Sequence, residues 1–297
     1  MVRCNFCGAT GSAHVFSLKG FDLVRCAGCS LTFIANPPQQ HELADIYSVG
    51  ASNYHSELLD TGSAQAQRMR LVAAEHMEFS RPFVGDGQLV DVGCSVGHFL
   101  ELAAQAGVEA RGIEYCKETA QHAATHTGLP VERGSIHDSA LAPESCATIT
   151  MFDVIEHVPD PQADLQAAWR LLKPGGCLIL STPNIDGLFP RASRPFARPL
   201  GYWPHPEPPH HLYQFSLATL AGKLEELGFV VEKVSHRHIA LDYTFGTWRT
   251  LIRSPKRLAY AMVFAPLARL GPLLSMGDWF YLAARKPADA PAEAIAA

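Results

Sequence analysis

The chain has 297 residues, 47% of them hydrophobic and 18% charged, with a formal net charge of −5. That composition supports a globular core, excludes a disordered or supercharged chain, and argues against a general nucleic-acid binder. No uncharged apolar run is long enough for a spanning helix and no secretory signal is evident, so a cytoplasmic protein with reduced thiols is expected.

Eight cysteines fall into two groups. Cys4-x-x-Cys7 and Cys26-x-x-Cys29 are separated by 18 residues, the spacing of a zinc ribbon. Each C-x-x-C turn aims two thiolates at one point, and two turns complete a tetrahedral shell. Four thiolates leave no open position, so the zinc is expected to be structural and to hold residues 1–36. Cys94, Cys116, Cys146 and Cys177 are scattered in or beside apolar runs and suggest no chemistry of their own.

Residues 37–85 show helical spacing around Leu43, Ile46 and Tyr47, and again around Met69, Leu71, Val72, His76 and Met77, with a polar stretch containing Tyr54 between them. From residue 86 strand and helix patterns alternate. Strands are expected near 88–92, 109–114, 130–133, 147–153, 177–182, 230–234 and 278–284, and helices near 97–107, 116–127, 162–172 and 216–228. Ser216 is the N-cap of the last and Gly228 its C-cap. Short apolar runs joined by helices predict a parallel sheet with right-handed crossovers. Two segments, 185–215 and 239–276, do not fit that minimal plan and are read as insertions that shape a substrate site. Residues 287–297 are an Ala/Pro-rich tail.

The first strand runs into Asp91-Val92-Gly93-Cys94-Ser95-Val96-Gly97, an acid and a small-residue turn before a helix. Such a loop cradles a nucleotide-like ligand. Roughly 20 residues on, the next strand ends in Glu114, whose carboxylate can accept hydrogen bonds from both hydroxyls of a ribose. The glycine spacing departs from the G-x-G-x-x-G of dinucleotide binders, which counts against an NAD enzyme.

This loop resembles motif I of the class I S-adenosylmethionine (SAM) methyltransferases. Met151 to Val158 resembles the family's segment after strand four, Leu171 to Gly176 its turn before strand five, and Ser181-Thr182-Pro183-Asn184 the residues after that strand. The four ordered matches cover residues 89–184. The resemblance implies a Rossmann-like, seven-stranded, mainly parallel α/β sheet with flanking helices and an antiparallel last strand. The family's cofactor residues map to Asp91, Gly93, Gly97 and Glu114, with Cys94 at the loop and Phe152 and Asp153 beside the methyl group and the amino end of SAM. Ile136 is expected against adenine. Ser135 stands where the family carries an acid, which puts the contact to the adenine amine in doubt, with Asp138 as a substitute.

Methyl transfer to a hydroxyl needs a base, for which histidine is suited near neutral pH. By resemblance the Pro-rich segment 203–216 reaches the acceptor, so His210 or His211 is the first choice and His157 the next. Glu156 with a histidine can also bind a divalent ion. Arg191, Arg194 and Arg198, and Arg249, Arg253, Lys256 and Arg257, can grip an anion or form a solvated basic face. Leu258 to Leu274 is strongly apolar and reads as a helix packed on the domain, with contact to a membrane surface as an alternative. The reading is a methyltransferase acting on a small-molecule hydroxyl of a sugar or secondary metabolite, preferred over a quinone, and the acceptor is anionic or carrier-linked if the arginines bind it. The alternatives are an RNA methyltransferase and a catalytically degenerate zinc-ribbon binding module.

Overall fold

The computed structural model describes residues 2–39, 42, 46 and 57–289. At the N-terminus the cysteine knuckles flank three antiparallel strands, β1 (Ser12–Leu18), β2 (Phe21–Cys26) and β3 (Thr32–Ile34). The helical pattern before residue 81 gives α1 (Ala64–Ser80), started by Ser63, whose hydroxyl accepts from the Ala66 amide. Leu43, Tyr47 and Tyr54 lie outside the described residues, as does the tail from 290 onward.

The alternating region then runs β4 (Gln88–Val92), α2 (His98–Gln105), β5 (Ala110–Glu114), α3 (Lys117–Thr127), β6 (Val131–Arg133), β7 (Cys146–Phe152), α4 (Pro161–Leu171) and β8 (Leu172–Pro183). Every strand and helix expected there is present within a few residues. The exception is the start of β8, which begins at Leu172 because the Lys173–Gly176 turn continues in extended form. α4 is started by Asp160, which accepts from the Ala163 amide, with Pro161 at its first position, a combination worth about 1 kcal/mol. The buried ammonium of Lys286 caps its other end by donating to Trp169 O and Leu172 O.

The later elements are α5 (Leu188–Leu200), β9 (Tyr213–Gln214), α6 (Leu217–Glu226), β10 (Val230–Arg237), α7 (Leu241–Phe245), α8 (Trp248–Leu251), α9 (Pro255–Leu270) and β11 (Trp279–Arg285). Ser216 caps α6 as expected, and Gly228 follows the C-cap residue Leu227 with φ +95°. The seven-stranded sheet has the order β10–β11–β8–β7–β4–β5–β6. Its pairs are parallel from β8 to β6 and antiparallel on either side of β11. The crossovers reverse direction between β4 and β7, and the crevice at the carboxyl ends of these strands is where such a sheet binds ligands.

Two findings lie beyond the sequence reading. β9, from the segment read as an insertion, pairs with β3, so the N-terminal sheet has the order β1–β2–β3–β9. The ribbon also shares the main core. Phe6, Leu31 and Phe33 belong to one cluster with Trp169, Phe215 and Phe229, and the Phe6 and Phe215 rings meet edge-on at 5.4 Å. The insertions pack on each other: Phe189 of α5 joins Phe245, Tyr260 and Phe264 in a separate small core.

Candidate functional site

The turn after β4 uses three positive φ angles, at Gly93 (+71°), Ser95 (+50°) and Gly97 (+90°). A Cβ at Gly93 would stand 2.4 Å from Val154 Cγ2, and one at Gly97 2.9 Å from Thr127 Cγ2. Both positions therefore need glycine for conformation and for close approach. The loop clasps the end of β5: Ser95 N donates to Glu114 Oε2 and Cys116 N to Glu114 Oε1, each at 2.8 Å. Thr150 Oγ1 donates to Asp91 Oδ1 at 2.7 Å. Just after β7 the next acid, Asp153, has φ +53° and accepts from Ser181 Oγ and from Trp279 Nε1.

Burial raises all three carboxyls. Asp91 is pushed up to about 7, with Glu114 adding to the effect, and Glu114 and Asp153 are also raised. Three buried acids gathered at adjacent strand ends favour a cationic ligand, which would return each to its charged form. SAM, with its ammonium and sulfonium, fits that demand.

The cofactor positions read from the sequence fare differently. Gly93, Gly97, Asp91, Glu114 and Asp153 converge on the crevice. Phe152 lies in an aromatic cluster, stacked on His76 of α1 at 4.0 Å and edge-on to Phe99 and Tyr281. Cys94 is a correction: its side chain is buried, and a Cβ on Gly112 would meet its sulfur at 2.5 Å, so it fills the core and offers only backbone. The Ile136 side chain is fully buried in the main core, which leaves its backbone amide as the group it could offer to an adenine ring. Ser135 hydrogen-bonds Asp138, whose carboxylate is largely exposed.

On the acceptor side, Glu156 is 1% exposed and neither carboxylate oxygen has a hydrogen-bond partner. Burial holds its pKa well above the usual carboxylate range, and Asp153 adds to this. The Glu156 carbonyl accepts from Leu212 N and Tyr213 N, at 2.8 and 3.1 Å. That tie brings the 203–216 segment over the end of β7. His157 Nδ1 donates to the His210 carbonyl at 2.9 Å, so its neutral tautomer carries the lone pair on Nε2. The rings of His157 and His211 meet edge-on at 4.7 Å, and ligand atoms of Glu156, His157 and His211 lie within 4.8 Å of one another. His211 Nδ1 has no partner, and burial keeps this imidazole neutral well below its ordinary pKa. The His210 side chain is exposed, and its backbone carbonyl reaches the cluster.

Two residues of the site, Thr150 and Trp279, escaped the sequence reading, while Ser181 entered only through a motif and His76 only through helical spacing. Thr150 is an ordinary strand residue. Trp279 announces itself only as an aromatic at the start of the last strand, and its link to Asp153 spans 126 residues.

The four ribbon sulfurs also lie within 4.8 Å of one another. Cys4 and Cys29 are 3.8 Å apart, and Cys7 and Cys26 3.5 Å. A tetrahedral ion with Zn–S bonds of about 2.3 Å spaces its ligands by about 3.8 Å, so the cluster fits zinc. Gly28 packs beside the cluster against Ala9, whose Cβ would stand 2.9 Å from a Cβ at position 28.

The sheet order, the switch-point loop and the acid at the end of β5 define a class I SAM-dependent methyltransferase fold. Residues 64–234 match the family model described as a methyltransferase domain. Over 241 residues the chain is 31% identical to the ubiquinone biosynthesis O-methyltransferase of Xanthomonas euvesicatoria pv. vesicatoria, an alignment covering 71% of this chain and 96% of that protein. The protein of the same name from Xanthomonas axonopodis pv. citri is 30% identical with the same coverage. Among solved structures, a SAM-dependent methyltransferase from Archaeoglobus fulgidus superposes with a TM-score of 0.51 at 20% identity, covering 73% of this chain and 93% of that one. The chain belongs to the SAM-dependent methyltransferase family.

Proposed function

We propose that this methyltransferase acts on a hydroxyl oxygen of a small molecule and that Glu156, His157 and His211 receive that acceptor. The observation that carries the reading is the buried, partnerless carboxyl of Glu156 beside two imidazoles, at the strand end next to Asp153. Bound SAM supplies the electrophilic methyl and its own leaving group. The protein has to align the oxygen in line with that methyl and take its proton. His157, oriented by the His210 carbonyl, takes the proton at Nε2. Glu156 then stabilises the imidazolium, since a cation nearby favours its charged form. His211 orients the acceptor from the opposite side, and the Cys4, Cys7, Cys26, Cys29 zinc holds the sheet that carries this segment.

Transfer to oxygen is supported by the relatives' name, O-methyltransferase. The acceptor we favour is a sugar or secondary-metabolite hydroxyl, and the ubiquinone pathway in that name places hydroxylated rings beside it in any test. Methyl transfer from labelled SAM to a panel of both kinds should proceed with the wild type. His157→Ala should lower kcat by roughly 10²–10⁴-fold while SAM binding is retained. Full kcat in both His157→Ala and His211→Ala would overturn the assignment.

A second reading is favoured by the mutual approach of the three ligand atoms. A carboxylate with two imidazoles suits a divalent cation that polarises the acceptor oxygen. Metal analysis of the wild type beside His211→Ala separates the two: base catalysis leaves only the ribbon zinc in both, whereas ion catalysis requires a second equivalent that His211→Ala loses.

A further inference from the structure

The helical insertion carries a surface that the methyl-transfer reading does not use. α9 is apolar on two sides. Its inner side, Tyr260, Ala261, Phe264 and Ala268, fills the small core against Phe189 and Phe245. Its outer side repeats Ala259, Met262, Val263, Pro266 and Leu270 at helical spacing, all exposed. Met262 is 66% exposed and Val263 60%, and the turn that follows adds Leu273 at 81%. α8 and its end contribute Trp248, 68% exposed, and Ile252. A surface helix normally turns polar residues outward, so an apolar outer stripe calls for a cover.

The charges around the stripe indicate which cover. Residues 248–276 hold Arg249, Arg253, Lys256, Arg257 and Arg269 and no Asp or Glu, in a chain whose net charge is −5. α5, packed on α9 through Phe196 and Phe264, adds Arg191 and Arg194, again with no acid, while its Arg198 turns to His14 of β1. A second copy docking by the same face would set like charges against each other. A nucleic acid would satisfy the arginines and leave Met262, Val263 and Leu273 with no apolar partner. An anionic lipid surface satisfies both, taking the aliphatic stripe and Trp248 into the headgroup boundary while the cations pair with phosphates. α9 has 16 residues, about 24 Å of helix, which suits lying in the surface. Among the described residues no helix is long and apolar enough to cross a membrane.

We propose that the outer face of α8 and α9 docks on an anionic phospholipid bilayer. The test is co-sedimentation of the full chain with vesicles of phosphatidylcholine, with and without added phosphatidylglycerol, at low and high salt. The wild type should sediment with the anionic vesicles at low salt, and Trp248 emission should shift to the blue. Arg249→Glu/Arg253→Glu should lower the partition coefficient more than about tenfold, and Met262→Asp/Val263→Asp should abolish it. Unchanged SAM binding and melting show that both variants are folded. Failure of the wild type to sediment with anionic vesicles would overturn the proposal. So would a dimer in light scattering that dissociates in Met262→Asp/Val263→Asp, because it would give the face to a second copy.

Discussion

At the scale of single residues, the site is a set of polar groups taken out of water and left with few partners. Glu156 and His211 lie where an acceptor would complete them; His205, 4% exposed with both ring nitrogens unpartnered, is a neighbour held neutral by burial, its pKa lowered to about 3. That shift has a consequence for stability. The unfolded chain protonates His205 below its ordinary value of about 6.5 and the folded chain does not. The stability present above that value is therefore lost as pH falls toward 3. Between pH 7.5 and 5.5 the wild type should lose about 1.4 kcal/mol through this group. Thermal melts at the two pH values should show His205→Phe losing less than the wild type by that amount, and equal losses would contradict the burial argument. Asp91, raised to about 7, behaves in the opposite sense: its contribution is present at acid pH and lost as pH rises through 7.

At the scale of elements, the ribbon and the acceptor segment form one structure. The cysteine knuckles bracket the β1–β2 hairpin, β2 registers β3, and β3 pairs with β9 through Thr32–Gln214 and Phe33–Tyr213. The Ile34 amide donates to the Leu212 carbonyl, and the Leu212 and Tyr213 amides donate to Glu156 O. Since a structural metal's binding energy is folding energy, Cys26→Ser should lose zinc and several kcal/mol of stability, and should weaken amide protection at Leu212 and Tyr213. Unchanged metal content and melting temperature would refute the zinc assignment. The ribbon's own cysteines were legible from spacing, as were the seven strands of the main sheet and the β4 loop, because local patterns specify them. β9 was not legible, because two residues carry no period. α5 was hidden by Pro195 and Pro199 inside the helix, which lower helix propensity until tertiary packing overrides them. Cys94 and Ile136 were assigned to the ligand by motif position, and only the packing of Gly112 and of the main core shows that their side chains point elsewhere.

At the scale of the whole molecule, distant parts of the chain close on one crevice. Trp279 on β11 fixes Asp153 just after β7, His76 of α1 covers Phe152, and the N-terminal sheet steers the histidine-bearing segment to the same strand end. The basic, apolar face of α8 and α9 belongs to the other insertion, so binding of a surface and methyl transfer can be separated by mutation. The buried acids of the crevice form a site suited to a cationic cofactor. The decisive measurement is calorimetric titration of the wild type and Glu114→Ala with SAM, S-adenosylhomocysteine and NAD. Micromolar binding of SAM and S-adenosylhomocysteine, no binding of NAD, and affinity for the pair lowered at least about tenfold in Glu114→Ala is the predicted result, from the loss of a charged hydrogen bond. Full affinity in the variant, or preference for NAD, would contradict it.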